Sequence, residues 1–493
     1  MTDFNYSDHG TSATYYKADP DNDLVDSSPP IDGRFASEAP VTIEDSRAEL
    51  ARRIEKINRT YALVIQGGGL VIMREGKDER NGRDVQAMSV NAFRTWMENE
   101  PPVLIQKQEK DGSTSATFKA IASIWFKSPD RRQYEGITFS PGMNAPNTYF
   151  NLWQGFAVEP LNGTIEEAKT RCRKLLDHVR DNLCNGNREH ARYLMAWAAD
   201  MVQDPGKKKG VALVLRGKKG TGKSMFVDAL AHLFGHHSIK IAHGKQLTGN
   251  FNRHLADKLF VISEETYWAG DKGAEGALKD LITSDRITVE AKGVDAIELP
   301  SLCRIAMITN NDWAVPASAD ERRYFVLDVS DTRMQDTEYF SAIVDELRNG
   351  GYEALLRVLL DWNSGGLNLR NVPQTSGLQE QKALSFDPFE RFVYDLLSGA
   401  GYGGISMDES TVRKDQLFEA YEEKCRKSGV RNHFTFALFC KRFMELSGAM
   451  SSKAARDDEG YRAPIFKLPG LKAARIAFAT SRNMPDLFQQ REA

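Results

Sequence analysis

The chain has 493 residues, room for about three domains at the usual ~150 residues each. Its 65 basic and 68 acidic residues leave a formal charge of −3, so a globally basic nucleic-acid binder is excluded and any such surface must be local. Five scattered cysteines without a C-x-x-C pair exclude a disulfide framework or zinc knuckle and fit a reducing compartment, while the lack of any run of about 18 apolar residues excludes a membrane span.

Residues 1–48 are rich in Asp, Ser and Pro and are expected to form a disordered acidic tail, with neither the basic nor the apolar region of a signal peptide. Asp19 to Asp23 lack the apolar strand that would hold a catalytic carboxylate pair, and they read as a solvated loop. Residues 49–160 are expected to form a small α/β domain. Within it, "TYALVIQGGGLVIMRE" predicts two strands joined by a turn at Gly67–Gly69; a phosphate loop would lead into a helix instead. Residues 161–208 predict a helical prelude. Thr164 and Glu167 have the spacing of a capping box, and Leu175, Leu176, Val179 and Leu183 recur at helical spacing. His178 and His190 read as helix-surface residues.

Residues 209–331 carry the chemistry. Gly217-Lys218-Lys219-Gly220-Thr221-Gly222-Lys223-Ser224 fits G-x-x-x-x-G-K-[ST], between an apolar run and a helix closed by Gly235. In that setting backbone amides cradle phosphates, Lys223 neutralises the β and γ oxygens and Ser224 reaches magnesium. ATP and Mg2+ are therefore the expected ligands. Lys218 and Lys219 belong to the cradle through their backbone, and their side chains read as solvated. In "KLFVISEET", Glu264 is assigned to the metal and Glu265 to the base that polarises the attacking water. "RITVEAKGVDAIELPS" predicts a β-hairpin with Lys292-Gly293 at its tip, where the ammonium can meet a DNA phosphate without reading the base. Lys279 on the preceding helix would support it. "LCRIAMITNN" ends at Asn310, whose amide can orient the lytic water. Arg322 and Arg323 precede another strand; they either face a neighbour's phosphate or form a salt bridge to Asp320 or Glu321.

Residues 332–385 predict a helical extension and linker, with a buried helix at "YEALLRVLLDW" and the linker over 363–381. In 386–493, Leu417, Tyr421 and Cys425 share one helical stripe, Phe436, Phe439, Phe443 and Leu446 another, and "YRAPIFKLPG" reads as a strand. Two helices and a β-element point to a winged helix whose second helix would present Lys441 and Arg442.

In order, "LRGKKGTGKS", "LFVISEE", "GALKDLITSDRITVEAKG", "IAMITNN" and "DERRYFVLDV" resemble superfamily 3 helicases of the AAA+ ATPase group, and within them phage and prophage primase–helicase ATPases. The resemblance covers roughly Tyr193 to Ser330. It implies an α/β fold: a P-loop AAA+ ATPase core with a parallel sheet, preceded by a small α/β and helical region and followed by a winged-helix domain. It implies Lys223 and Ser224 as ligands of nucleotide and magnesium, Glu264 and Glu265 as the acidic pair, and Asn310 as the sensor. Glu stands at 264 where Asp is commoner in this group. An arginine of the Arg322/Arg323 pair becomes a finger acting in trans, which implies a homo-oligomeric ring, usually a hexamer. The hairpin then lines a pore and grips single-stranded DNA. The activity implied is ATP-dependent DNA unwinding in phage or mobile-element replication, in the bacterial host cytoplasm. The alternative is a non-translocating initiator or assembly switch driven by ATP. A small-molecule kinase is disfavoured for want of an acceptor pocket under a lid. Residues 49–160 hold no strand-borne Asp-x-Asp with a downstream His, so no primer synthesis is expected from this chain. A separate primase or other replication proteins are the partners left open.

Overall fold

The structure, a computed structural model, describes residues 43–78, 82–108, 110–142, 145–249, 252–264, 272–291, 294–399, 405, 407, 409–456, 462–485 and 487–488. Helix α1 (Ile43–Thr60) opens the described chain. Residues 43–48, assigned above to the acidic tail, are therefore helical, and 1–42 lie outside the described residues. Strands β1 (Tyr61–Gln66) and β2 (Gly69–Asp78) pair antiparallel with Gln66 opposite Gly69. Gly67 and Gly68 take φ of 55° and 73°, the paired positive angles of a two-residue hairpin turn. The glycine run is a turn, as its flanking β-runs require. Next come β3 (Gly82–Ser89), α2 (Val90–Trp96), β4 (Val103–Gln108), β5 (Thr114–Lys119), α3 (Ile121–Trp125), β6 (Gln133–Tyr134), β7 (Gly136–Thr138) and β8 (Tyr149–Asn151). One sheet runs β3-β2-β1-β6. Residues 1–52 with 104–118 group as one compact unit, whose described part includes most of the β4–β5 hairpin; 53–103 with 119–493 form the other.

The predicted capping box is present: Thr164 Oγ1 accepts from the Glu167 amide, and the Glu167 carboxylate accepts from the Thr164 amide at 2.7 Å. The stretch that carries the helical spacing is broken into separate pieces. Helix α4 (Ile165–Arg171) stops at Cys172, α5 (Arg173–Asp177) follows, and residues His178–Leu183 form a π-helical turn. Helix α6 (Arg188–Gln203) then runs through the core, with Tyr193, Leu194, Trp197 and Met201 buried.

The central sheet is built from β9 (Ala212–Arg216), β10 (Ser238–Ile241), β11 (Phe260–Glu264), β14 (Arg304–Thr309) and β15 (Tyr324–Asp328), in the order β10-β11-β14-β9-β15. All four pairings are parallel. Near-continuous apolar runs suit strands covered on both faces. Strand β9 shows this directly: Leu213 and Leu215 join the core that holds Trp197, Phe226 and Leu230, while Ala212 and Val214 join a second core with Val261, Leu278 and Tyr324. Between β9 and β14 lie α7 (Lys223–Phe234), α8 (Gly244–Thr248), α9 (Lys272–Thr283) and an antiparallel hairpin, β12 (Arg286–Ala291) with β13 (Val294–Pro300). Val289 and Leu299 are its buried residues, and the predicted tip, Lys292-Gly293, lies outside the described residues.

After β15 come α10 (Thr337–Glu346), α11 (Tyr352–Leu360) and α12 (Ser376–Leu384). The buried helix at 352–362 is α11. The linker reading of 363–381 is corrected: buried Thr375 caps α12 by accepting from the Leu378 amide, and Gln381 Oε1 accepts from the amides of Ala314 and Val315 at 2.7 and 3.1 Å. Helix α12 thus lies against the sheet edge rather than spanning solvent.

The C-terminal region has its own core of Phe389, Phe392, Leu417, Tyr421, Phe439, Phe443 and Phe466. Its order is α13 (Pro388–Leu397), β16 (Thr411–Arg413), α14 (Lys414–Lys427), α15 (Phe436–Ser447), β17 (Met450–Lys453), β18 (Pro464–Lys467) and α16 (Leu471–Ser481), with an antiparallel sheet β16-β18-β17. Phe436, expected in the core stripe, is 42% exposed. Arg442 does not project outward: its guanidinium lies over the Phe434 ring and 3.8 Å from Asp387, while Lys441 is exposed. Among the described residues no helix is long and apolar enough to cross a membrane.

One buried histidine makes the fold sensitive to acid. His237 Nε2 accepts from the Gln154 amide at 3.0 Å, its Nδ1–H donates to the Asp257 carbonyl at 2.7 Å, and its ring stacks on Trp153. Burial pushes its pKa from 6.5 down to about 4. Between these values the unfolded chain binds the proton and the folded chain does not, so stability falls as pH drops through that window. The loss reaches about 3 kcal/mol at pH 4, at ~1.4 kcal/mol per pK unit. Urea unfolding at pH 7 and pH 5 should show the decline, and His237→Gln should remove the part that this ring causes.

Candidate functional site

The carboxyl ends of parallel strands form one edge of the sheet, and ligands of open α/β sheets sit outside that edge. Register places the predicted residues along it. Glu264 is level with Ile308, and Thr309 with Arg216, so Glu264, Asn310 and the loop from Gly217 converge there. The loop wraps the start of α7 with Gly220 and Gly222 at φ of 78° and 81°. At Gly222 a Cβ would sit 2.4 Å from Phe340 Cε1 and 2.7 Å from His178 Cε1, so this position demands glycine for both angle and space.

Lys223 is buried, and its ammonium donates to Gly217 O at 2.6 Å, Lys218 O at 2.5 Å and Asn310 Oδ1 at 2.9 Å. The predicted sensor and the predicted phosphate lysine are thus in direct contact. Thr221 is fully buried and donates to Lys218 O at 2.9 Å. A cleft of about 610 Å³ opens over these groups, lined by Lys219 to Met225, Glu264, Ile308 and Asn310 on one side and by Gln335, Thr337, Phe340, Ser341 and Val344 on the other. The Lys218 side chain is exposed and pairs with Asp331 at 2.9 Å, in line with its reading as a solvated charge. Ser224 and Glu264 both line the cleft; they offer hydroxyl and carboxylate oxygens, the donors magnesium prefers. Lys240 lies 3.5 Å from Glu264 and 2.7 Å from Asp228. Glu265, the predicted base, lies outside the described residues.

Two groups of predicted residues are not brought to this cleft. Arg322 and Arg323 precede β15, where the Arg323 carbonyl accepts from the Ala212 amide. They sit at the opposite, amino edge, a five-residue strand or about 16 Å away along the sheet. Arg323 takes the salt-bridge alternative, at 3.3 Å from buried Glu321, whereas Arg322 is exposed. Lys279 pairs with Glu275 at 2.5 Å on its own helix, the one that precedes the hairpin. Lys292 and Gly293 fall outside the described residues.

The reading of His178 as a surface residue is also corrected. It is fully buried, and its Nε2 meets Gly222 O at 3.0 Å while Nδ1 meets the Tyr339 hydroxyl at 3.2 Å. A carbonyl only accepts, so Nε2 carries the proton and Nδ1 accepts from Tyr339. Burial lowers the pKa, with the Gly222 bond opposing it, and the ring stays neutral. One turn on, Asn182 donates to Thr221 O at 2.7 Å. The π turn therefore grips two successive carbonyls of the phosphate-type loop. The trace in sequence was two polar residues four apart inside an apolar stripe, a buried-polar signal that the helical pattern hides. His190 is half-buried beside Phe325. Phe340 and Val344 carried no motif at all.

Residues 215–323 match a family described as "Family of unknown function (DUF5906)". Over 227 residues the chain is 25% identical to the DNA primase-polymerase of Nitratiruptor phage NrS-1, covering 45% of this chain and 29% of that protein's length. The apo structure of the NrS-1 C-terminal region superposes with a TM-score of 0.59 at 16% identity, over 85% of this chain and 98% of that one. Its A-form apo structure gives 0.58 at 15% identity over the same shares. The chain is therefore similar in part of its sequence to a phage DNA primase-polymerase, and similar in fold to the C-terminal region of that protein.

Proposed function

We propose that this chain is an ATP-hydrolysing DNA helicase of the superfamily 3, AAA+ type, acting as a ring in phage DNA replication in the host cytoplasm. The observation that carries the reading is the convergence of Lys223, Asn310, Glu264 and Ser224 on one cleft at the carboxyl edge of the parallel sheet. In it, the Gly217–Ser224 amides and the Lys223 ammonium hold the triphosphate. Magnesium bound by Ser224 and Glu264 would neutralise charge on the phosphate oxygens. Asn310 accepts from Lys223 through Oδ1 and keeps its proposed role of orienting the lytic water. Met225, Phe340 and Val344 supply an apolar wall for the base. Glu265 keeps its proposed role as base, next in sequence to Glu264.

The distance from Arg322 to the cleft of its own chain favours action in trans. In this reading the exposed guanidinium at the amino edge serves a neighbour's triphosphate, which calls for subunit contact. The helix–strand–helix–helix–strand–strand order of the C-terminal region supports the winged-helix reading, with the exposed face of α15 offering Phe436, Leu438 and Lys441. The primer synthesis named for the relative is not assigned to this chain. Mixing inactive chains tests the shared site. Arg322→Ala and Lys223→Ala are each expected to abolish most ATP hydrolysis, and an equal mixture to recover part of it where an intact lysine meets an intact arginine. Sizing with a non-hydrolysable ATP analogue and a single-stranded oligonucleotide should show a multi-subunit particle. A solitary chain that hydrolyses ATP at full rate would overturn the reading.

A further inference from the structure

A second cleft, of about 770 Å³, opens on the side of the π turn away from the phosphate-type loop, between α4, α5, α6 and the segment after α11. Its floor is apolar, with Val179 and Met195 buried. Trp362 lines it, and its buried Nε1–H has no acceptor among the described residues. The tryptophan is held firmly. Gln203 Nε2 donates to Trp362 O at 2.9 Å, and Arg192 donates to Ser364 O at 3.0 Å. Gly365, at φ 60°, lets the chain close over Arg192; a Cβ there would lie 2.6 Å from the guanidinium.

The rim is basic. Lys169 is matched by Glu166, and Arg180 by Asp177 and Asp181. Arg192 spends one N–H on a carbonyl and keeps its charge, and exposed Arg188 has no ion-pair partner among the described residues. A fixed indole with an unspent donor, an apolar floor and uncompensated guanidinium charge suit a flat aromatic group linked to an anion.

We infer that this cleft binds a nucleotide unit, the base against Trp362 and the phosphate at Arg188 and Arg192. The site is separate from the phosphate-type loop and does not depend on hydrolysis there. The nucleotide comes either from a single strand or as a free triphosphate, and two probes separate these sources. Titrating the full chain with dT12 or with ATP, the Trp362 contribution to emission, taken as wild type minus Trp362→Phe, should be quenched. Quenching by dT12 identifies a strand. Quenching by ATP, with two ATP bound per wild-type chain and one per Arg188→Glu chain, identifies free nucleotide. In either case Arg188→Glu should weaken the quenching ligand at least tenfold. For dT12 it should also lower the slope of log affinity against log salt by about 0.7, one phosphate contact on a single strand. Thermal melts matching wild type establish that the variants are folded. If neither probe alters the Trp362 signal and Arg188→Glu binds both like wild type, the inference is wrong, whether or not the chain unwinds DNA.

Discussion

Lys223→Ala is expected to lower ATP hydrolysis about 10²–10³-fold, the usual cost of removing a charged donor from developing phosphate charge. The structure shows where this charge sits. The ammonium is buried at the centre of the loop, where it donates to two loop carbonyls and to Asn310 Oδ1. Lys218 and Lys219 are adjacent in sequence, but the Lys218 side chain is turned to Asp331. Asn310 is exposed, so the loss of this one bond costs little stability. The chain should therefore remain folded by circular dichroism while losing activity. A forked duplex unwound equally by wild type and Lys223→Ala would remove the phosphate-loop reading.

Gly222→Ala should be the more damaging change to the fold. An L side chain at φ 81° costs about 1–2 kcal/mol. Its Cβ would also overlap Phe340 and His178, and overpacking of this kind costs about 1–3 kcal/mol more. The expected loss is thus about 2–5 kcal/mol in urea unfolding. Since Phe340 lines the cleft and His178 holds the Gly222 carbonyl, affinity for an ATP analogue should fall at least tenfold with it. A Phe340→Ala change in the same chain should recover the Phe340 share of the steric loss and leave the His178 overlap and the dihedral part. A Gly222→Ala protein with wild-type stability and affinity would mean that the loop does not hold this geometry.

The loop, the strand that leads into it and the helix that follows were legible because each carries a local signal: an apolar run, glycines at fixed spacing, a lysine and serine in register. The capping box at Thr164 and the Gly67-Gly68 turn were legible for the same reason. The reading failed where a residue's role is set by what packs against it. Residues 363–381 read as linker because their composition is polar, yet Thr375, Glu380 and Gln381 find partners on Val326, Arg216, Asp312, Ala314 and Val315. Arg442 read as an outward charge because its neighbour is exposed Lys441, whereas Phe434 and Asp387 face it.

By itself the sequence determined the elements and the inventory of groups able to bind phosphate and metal, because these depend on neighbours along the chain. Only the tertiary structure decided which of them meet. Parallel pairing set Glu264 beside Ile308 and brought Asn310 onto Lys223, while the same pairing carried Arg322 to the far edge. The π turn brought His178 and Asn182 under the loop from some 40 residues upstream. Strand order and helix packing are governed by burial of whole faces, and no short stretch of sequence encodes that.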